Sequence, residues 1–441
     1  MSKNFLLFSF VFFSVSGFSQ SNKEKIYERS QKIISQLKTK NYDHLTEGFD
    51  SSLLQTLSSK QIANQWEMYD KHFGSFGYFG QTNIDTISGF YLSQTIIRYS
   101  NNAKMEFRIM FNSKLEIISL QFYPQFGYGA PEYVNSLLFD EYKVNIGKPP
   151  YLLEAIFTIP KNVKDPSCVL LVGGSGPQDK DETKGDNKMF KDMAWGLAGK
   201  GIAVLRFDKR TFAYGSQLIS DKYVGKNLTI KEEYLDDVGY AIIFLKSSKK
   251  INAKRIFIAG HDQAGELAPW FAQQNKVCGL IMLAANGRNF SELLTDQLNY
   301  LYDGAEINEA ARKNLADMKR HALYLNGKKL PLTLPEDSLP FSTVYYWNSL
   351  CNYDRFKAAQ KLTIPIFILQ GERDFEITVK DFDLWKKNLA GKKNVSFKLY
   401  PKLNHLFMEG VGRPGREEYA VKANVPEYLV NDLVEWIRSQ K

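Results

Sequence analysis

Cysteine and histidine are scarce in this sequence, with three Cys and five His in 441 residues. Cys168, Cys278 and Cys351 are odd in number and widely spaced, and the first two lie in apolar runs. They read as buried small hydrophobes, and no disulfide framework is implied. Long apolar runs are also missing. Beyond the first twenty residues no stretch approaches the roughly 18 consecutive apolar residues of a membrane span, so no transmembrane helix is expected. The formal charge of +9 is scattered, without a Lys/Arg tract or interleaved aromatics. That pattern speaks against a nucleic-acid partner and fits solubility and weak attraction to anionic surfaces. Internal repeats and low-complexity tracts are absent.

What is present is a globular composition, 44% hydrophobic and 14% aromatic, in a chain long enough for two domains. Residues 1–19 place Lys3 before the apolar run Phe5 to Val15 and the small-residue site Gly17-Phe18-Ser19. This reads as a secretory signal peptide, and the mature protein is expected to be exported to the periplasm or beyond the cell.

Residues 20–126 read as a small α+β domain. Ile26, Ile33, Ile34 and Leu37 recur at helical spacing, short helical segments follow to about His72, and four β-rich runs occupy Phe76 to Tyr123. Helices followed by an antiparallel sheet resemble the cone-shaped domains of the nuclear-transport-factor-like group, and a bacterial domain of unknown function found ahead of hydrolase domains. Residues 127–150, rich in Gly and Pro, read as a linker with one short strand near Glu141 to Val144. From 151 to 441 strands and helices alternate, which implies a doubly wound, mostly parallel sheet with helices on both faces. The alternation stops at about 286–354, where a helix-prone insertion carries Tyr300, Tyr302, Tyr324, Tyr345, Tyr346 and Trp347 as candidates to line a pocket.

Three separated motifs carry chemistry. Arg255 to Ala259 is an apolar strand leading into Gly260-His261-Asp262-Gln263-Ala264, which fits Gly-x-Ser-x-Gly except that Asp262 takes the nucleophile position and Ala264 that of the second glycine. Leu369-Gln370-Gly371-Glu372-Arg373-Asp374 offers an acid after a buried strand, with Glu372 a rival to Asp374. Leu403-Asn404-His405-Leu406-Phe407 offers a histidine after the last strand. The order nucleophile, acid, histidine resembles the α/β-hydrolase superfamily, specifically its bacterial esterase and dienelactone-hydrolase-like members, over residues 150–441.

The resemblance implies an α/β-hydrolase fold with the 286–354 insertion as a cap, a small-molecule substrate and no cofactor. It implies Asp262, Asp374 and His405 as catalytic residues, with His405 the base and Asp374 its orienting acid. It implies an oxyanion hole from the backbone amides of Ser175, in the loop Gly173-Gly174-Ser175-Gly176-Pro177, and Gln263. The run Gln178-Asp179-Lys180-Asp181-Glu182 also resembles a segment of these esterases. Without a histidine or paired ligand spacing it implies no metal, and it reads as a solvated or helix-capping loop. Asp208-Lys209-Arg210 matches the family, with Thr211 in place of the usual glycine.

Asp262 leaves the reaction open between three readings. A carboxylate is ionised without a base, since its reference pKa is about 3.9, and the helix start aims positive dipole at it. Such a group suits attack at a saturated carbon, as in dehalogenases and epoxide hydrolases, whose elbows Gly260-His261-Asp262 resembles. An ester substrate requires His405 to act as an acid. Asp is also a preferred helix N-cap, which suits a binding protein that has lost its nucleophile.

Overall fold

In the computed structural model the described residues are 16–440, except 74–75, 88–89, 100–103, 126, 221–227, 305–308, 336–337, 340–341 and 352. Residues 1–15 of the expected signal peptide lie outside them. The chain divides into two compact units between Gly127 and Tyr128. No helix among the described residues is long and apolar enough to cross a membrane.

The first unit opens with α1 (Ser16–Thr39), α2 (Ser51–Thr56) and α3 (Ser59–Phe73). An antiparallel meander follows, of β1 (Phe76–Ile87), β2 (Phe90–Tyr99), β3 (Lys104–Phe111) and β4 (Ile117–Gln125). The i, i+7, i+8, i+11 set of Ile26, Ile33, Ile34 and Leu37 makes one face of α1. That face is buried in a core with Trp66, Phe107 and Phe122.

The second unit is built on an eight-stranded sheet. Its strands are β5 (Phe139–Lys148), β6 (Tyr151–Pro160), β7 (Cys168–Val172), β8 (Ala203–Phe207), β9 (Ile256–His261), β10 (Gly279–Leu283), β11 (Ile366–Gly371) and β12 (Val395–Tyr400). They lie in the order β12-β11-β10-β9-β7-β8-β6-β5. Every residue of β7 to β11 is buried, as strands covered on both faces require. Successive side chains feed opposite cores: Cys168, Leu170 and Val172 enter one, Val169 and Leu171 the other. The first core is closed by α6 (Asp236–Ser247), α7 (Asp262–Gln274) and α12 (Val379–Asn388), the second by α4 (Met189–Gly199) and α13 (Glu427–Ser439).

Two features differ from the sequence reading. The short strand expected near Glu141 to Val144 within 127–150 is the ten-residue β5 at the edge of the sheet, matched to β6 from Phe139–Pro160 to Lys148–Tyr151 around the Pro149-Pro150 turn. A kinked helix, α5 (Arg210–Ser220), follows β8 where none was expected. The helical insertion lies between β10 and β11 and contains α8 (Phe290–Tyr302), α9 (Glu309–Ala322) and α10 (Val344–Cys351), before α11 (Arg355–Gln360).

Strand order reverses around β7. The chain passes from β7 to β8 on one side, then crosses to β9 on the other, and parallel pairing brings Val172 beside Gly260. The loops leaving the carboxyl ends of β7 and β9 therefore diverge around a crevice, the place where open α/β sheets bind ligands.

Candidate active site

The turn after β9 is sharp. Asp262 starts α7 with φ of 50°, a left-handed conformation that a non-glycine residue adopts only under local strain. Gly260 makes the turn possible, because a Cβ there would run into the Ala264 carbonyl. The N-cap of α7 is His261, and the Asp262 carboxylate reaches across to the β7 loop. Its Oδ2 accepts from the Ser175 amide at 2.8 Å and from the Ser175 hydroxyl at 2.6 Å. Gly174 permits this approach, since a Cβ there would sit 2.9 Å from Asp262 Oδ2. Burial pushes the Asp262 carboxyl upward, but the charges of His405 and His261 and the two Ser175 donors outweigh it. The carboxyl is held below its usual range.

His405 stands in the loop after β12. Its Nδ1 lies 2.8 Å from Asp374 Oδ2. Asp374 is buried and tethered, with Oδ1 accepting from the Glu376 and Ile377 amides at 2.8 and 2.9 Å and Oδ2 also accepting from Gln370 Nε2 at 3.1 Å. Glu372 is exposed, so Asp374 is the acid that meets the histidine. Burial alone would lower the pKa of His405. The carboxylates of Asp374, Glu376 and Asp262 overcome that and push it up to about 10, so the imidazole is charged at neutral pH.

A second carboxylate–histidine pair lies beside the first. Glu182 Oε1 meets His261 Nδ1 at 2.9 Å and accepts from the Gly174 amide at 2.8 Å. His261 Nε2 is 2.9 Å from the backbone carbonyl of His405. One buried acid thus ties the β7 loop, the elbow and the histidine loop together. Its neighbours are half-buried and paired: Asp181 with Arg206 and Lys188, and Lys180 with Asp208 and Glu154. The run read as a solvated or helix-capping loop is thus only partly solvated: Glu182 is buried, and Arg206, buried inside apolar β8, draws in Asp181 and Glu141 as partners.

Lys209 is a further residue that its motif alone did not single out. Its buried Nζ donates to the carbonyls of Gly174 and Gly176 at 2.6 and 2.8 Å, and to Glu233 at 2.8 Å. Holding both carbonyls inward fixes the direction of the intervening Ser175 amide. Glu233 lies in a π-helical turn (Lys231–Leu235) and also accepts from the Tyr346 hydroxyl at 2.7 Å, linking α10 to this network. The Gln263 side chain accepts from the Tyr234 and Tyr346 hydroxyls at 3.1 and 3.2 Å. Its amide belongs to the first turn of α7, whose N–H groups have no acceptor within the helix.

Two cavities meet at Asp262, sharing Ser175 and Glu376 as walls. The larger, of about 660 Å³, is faced by Leu218, Phe290, Leu293, Tyr346 and Trp347. The smaller, of about 280 Å³, contains His405. Of the aromatics expected to line a pocket, Tyr346 and Trp347 line the larger cavity and Tyr324 a further one of about 100 Å³, whereas Tyr302 and Tyr345 are exposed and Tyr300 stacks on Phe375. Among the described residues no group of three or more His, Cys, Asp or Glu is placed to hold a metal ion.

Esterase EstD of Thermotoga maritima is 34% identical over 311 residues, which is 70% of this chain and 70% of that protein. The chain belongs to the α/β-hydrolase family. Residues 30–120 of the hydrolase match a family described as a protein of unknown function (DUF3887). Among solved structures, Est1E from Butyrivibrio proteoclasticus aligns over 68% of this chain and 98% of its own at 16% identity and a TM-score of 0.42. A dienelactone hydrolase homologue from Klebsiella pneumoniae aligns over 68% and 99% at 13% identity and a TM-score of 0.41.

Proposed function

We propose that the protein is an exported hydrolase of small ester-like substrates in which Asp262 is the nucleophile, His405 first an acid and then a base, and Asp374 the residue that orients it. The observation that carries this reading is the disposition of the Asp262 carboxylate. Oδ2 is anchored by two donors of Ser175, Asp262 lines both cavities, and the charged His405 lines the smaller of them.

The proton inventory makes an ester route feasible. A serine enzyme at rest holds its transferable proton on the hydroxyl and a neutral histidine beside it. Here the nucleophile is already an anion, and the proton is stored on His405. Oδ1 attacks the acyl carbon, the carbonyl electrons move to oxygen, and the Gln263 amide stabilises that oxyanion, joined by the Ser175 amide as the aspartate loses its charge and releases that donor from Oδ2. The C–O bond to the alcohol breaks, and His405 donates its proton to the departing oxygen. An acyl–Asp262 anhydride remains beside a neutral imidazole. That imidazole takes a proton from water as the water attacks the acyl carbon, the Asp262 carboxylate leaves, and the imidazolium is restored. The sum is ester plus water giving acid plus alcohol.

The other readings have less support. Attack on an epoxide requires tyrosine hydroxyls facing the substrate, and the Tyr346 hydroxyl is engaged by Glu233 and Gln263. A helix-cap role is disfavoured because the carboxylate bonds to Ser175, not to α7. The α8–α10 insertion is the cap over the larger cavity.

The test uses a His405→Gln variant and a 4-nitrophenyl ester, whose leaving group needs no acid. The expected result is a burst of about one equivalent of nitrophenolate followed by a stall, with the acyl mass on the peptide containing Asp262. Turnover by the natural protein with neither burst nor adduct in the variant would overturn the nucleophile assignment.

A further inference from the structure

Resting on the ester reading, we infer that the smaller cavity is the leaving-group chamber and that it selects alcohols carrying an anionic group, such as hydroxy carboxylates or hydroxyalkyl phosphates. The two cavities divide the substrate at Asp262. The departing oxygen must lie where His405 can protonate it, and His405 lines only the smaller cavity. The acyl group therefore extends into the larger one, against Phe290, Leu293 and Trp347. After the alcohol departs, the same chamber admits the water that the neutral His405 activates.

The walls of the chamber say what kind of alcohol fits. Lys184 and Arg416 line it, and among the described residues neither forms an ion pair. This contrasts with their surroundings, where Lys180, Lys188, Arg206, Lys209 and Arg373 are each matched with an acid. The acids of the chamber are bonded to its other walls and not to these two cations: Glu182 to His261, Asp262 to Ser175, and Glu376 to the Tyr419 hydroxyl at 2.6 Å. The two cations come from separate segments, the Thr183–Lys188 hairpin and the Arg416–Ala420 turn. Asn187 joins them, donating to the carbonyls of Tyr419 and Val421 at 3.1 and 2.9 Å and accepting from the Ala423 amide at 2.8 Å. Two cations without an ion pair among the described residues, on segments that Asn187 joins and in the chamber that His405 also lines, form a receptor for an anion attached to the alcohol.

Three octanoyl esters test this, those of ethylene glycol, glycolate and 2-hydroxyethyl phosphate, which share an acyl chain and differ in the charge on the alcohol. The natural protein should show kcat/KM about tenfold or more higher for one or both anionic esters than for the neutral one. Which anionic ester leads identifies carboxylate or phosphate as the matching group. In a Lys184→Met, Arg416→Met double variant the anionic-to-neutral ratio should fall to about one. Calorimetry with Asp262→Asn protein should show the same preference in binding, independent of chemistry. Hydrolysis of all three esters at similar kcat/KM would overturn the anion assignment while the ester reading stood. Preferential binding of an anionic ester that the natural protein never hydrolyses would uphold the anion site and overturn the ester reading.

Discussion

The second unit holds two carboxylate–histidine pairs side by side, with the His261 and His405 rings 4.5 Å apart between centroids. Both use Nδ1 against a buried acid, at 2.9 Å for Glu182–His261 and 2.8 Å for Asp374–His405. They differ at the other nitrogen. His261 Nε2 faces a backbone carbonyl, which can only accept, so that nitrogen is engaged as the donor to it. His405 Nε2 is left to the chamber it shares with Asp262. The same pair of groups is a clamp in one case and a proton carrier in the other, according to what the second nitrogen meets.

The comparison breaks most visibly at Asp374. Replacing it with Asn keeps the size of the group but removes the charge that favours the imidazolium, and presents an amide where Nδ1–H needs an acceptor. Activity on unactivated esters should fall by about three to four orders of magnitude, with little change in fold. Steady-state kinetics beside circular dichroism would check this. A loss smaller than about tenfold would mean that the orienting acid is elsewhere.

The pH profile should also separate the two pairs. Because His405 is pushed up to about 10, the acid needed for the first step is present throughout neutral pH. Asp262, held below its ordinary 3.8, is ionised there too. The rate on unactivated esters should be flat from about pH 5 to 9 and fall roughly tenfold per unit above 10. A serine enzyme with a neutral histidine base instead rises through the pKa of that histidine. The linkage has a definite sign: a folded pKa above the unfolded 6.5 gives stability that is complete below pH 6.5 and lost as pH rises through 10. Melting curves of the natural protein and of His405→Gln should therefore converge at high pH. A rate that climbs between pH 6 and 8 would overturn the stored-proton scheme.

The two pairs were not equally legible. Asp374 and His405 each follow a buried strand in the order the hydrolase fold uses, and Ser175 follows β7, so sequence order alone brings them to one end of the sheet. Glu182 sits in a polar run whose partners, the Gly174 amide and His261, are supplied by tertiary structure, and no local periodicity marks it as buried. The signal that could have exposed the run is Arg206, a charge in the middle of apolar Ile202 to Phe207, which obliges acids from elsewhere to come inside. The β5–β6 hairpin was hidden differently. Gly147, Pro149 and Pro150 punctuate its turn and read as a linker, yet strands of ten residues flank them. In the first unit the apolar face of α1 and the four strand runs were visible because each buries one face only, and periodicity reports that directly.

The smallest effect distinguishes a clamp from a participant. In a Glu182→Gln variant the amide oxygen can still accept from both Gly174 N–H and His261 Nδ1–H, so the geometry of the β7 loop survives and only the charge is lost. The expected loss in kcat is less than about tenfold, with KM unchanged. Glu182→Ala leaves two buried donors without an acceptor, at about 1–3 kcal/mol each, and frees the Gly174–Ser175 peptide that anchors Asp262. Its kcat should fall well below that of the Gln variant, together with a lower Tm. If Gln and Ala lost activity equally, and by as much as Asp374→Asn, then charge on Glu182 would matter more than the bonds it makes. Glu182–His261 would then belong to the proton-carrying machinery, and the division between the two pairs would not hold.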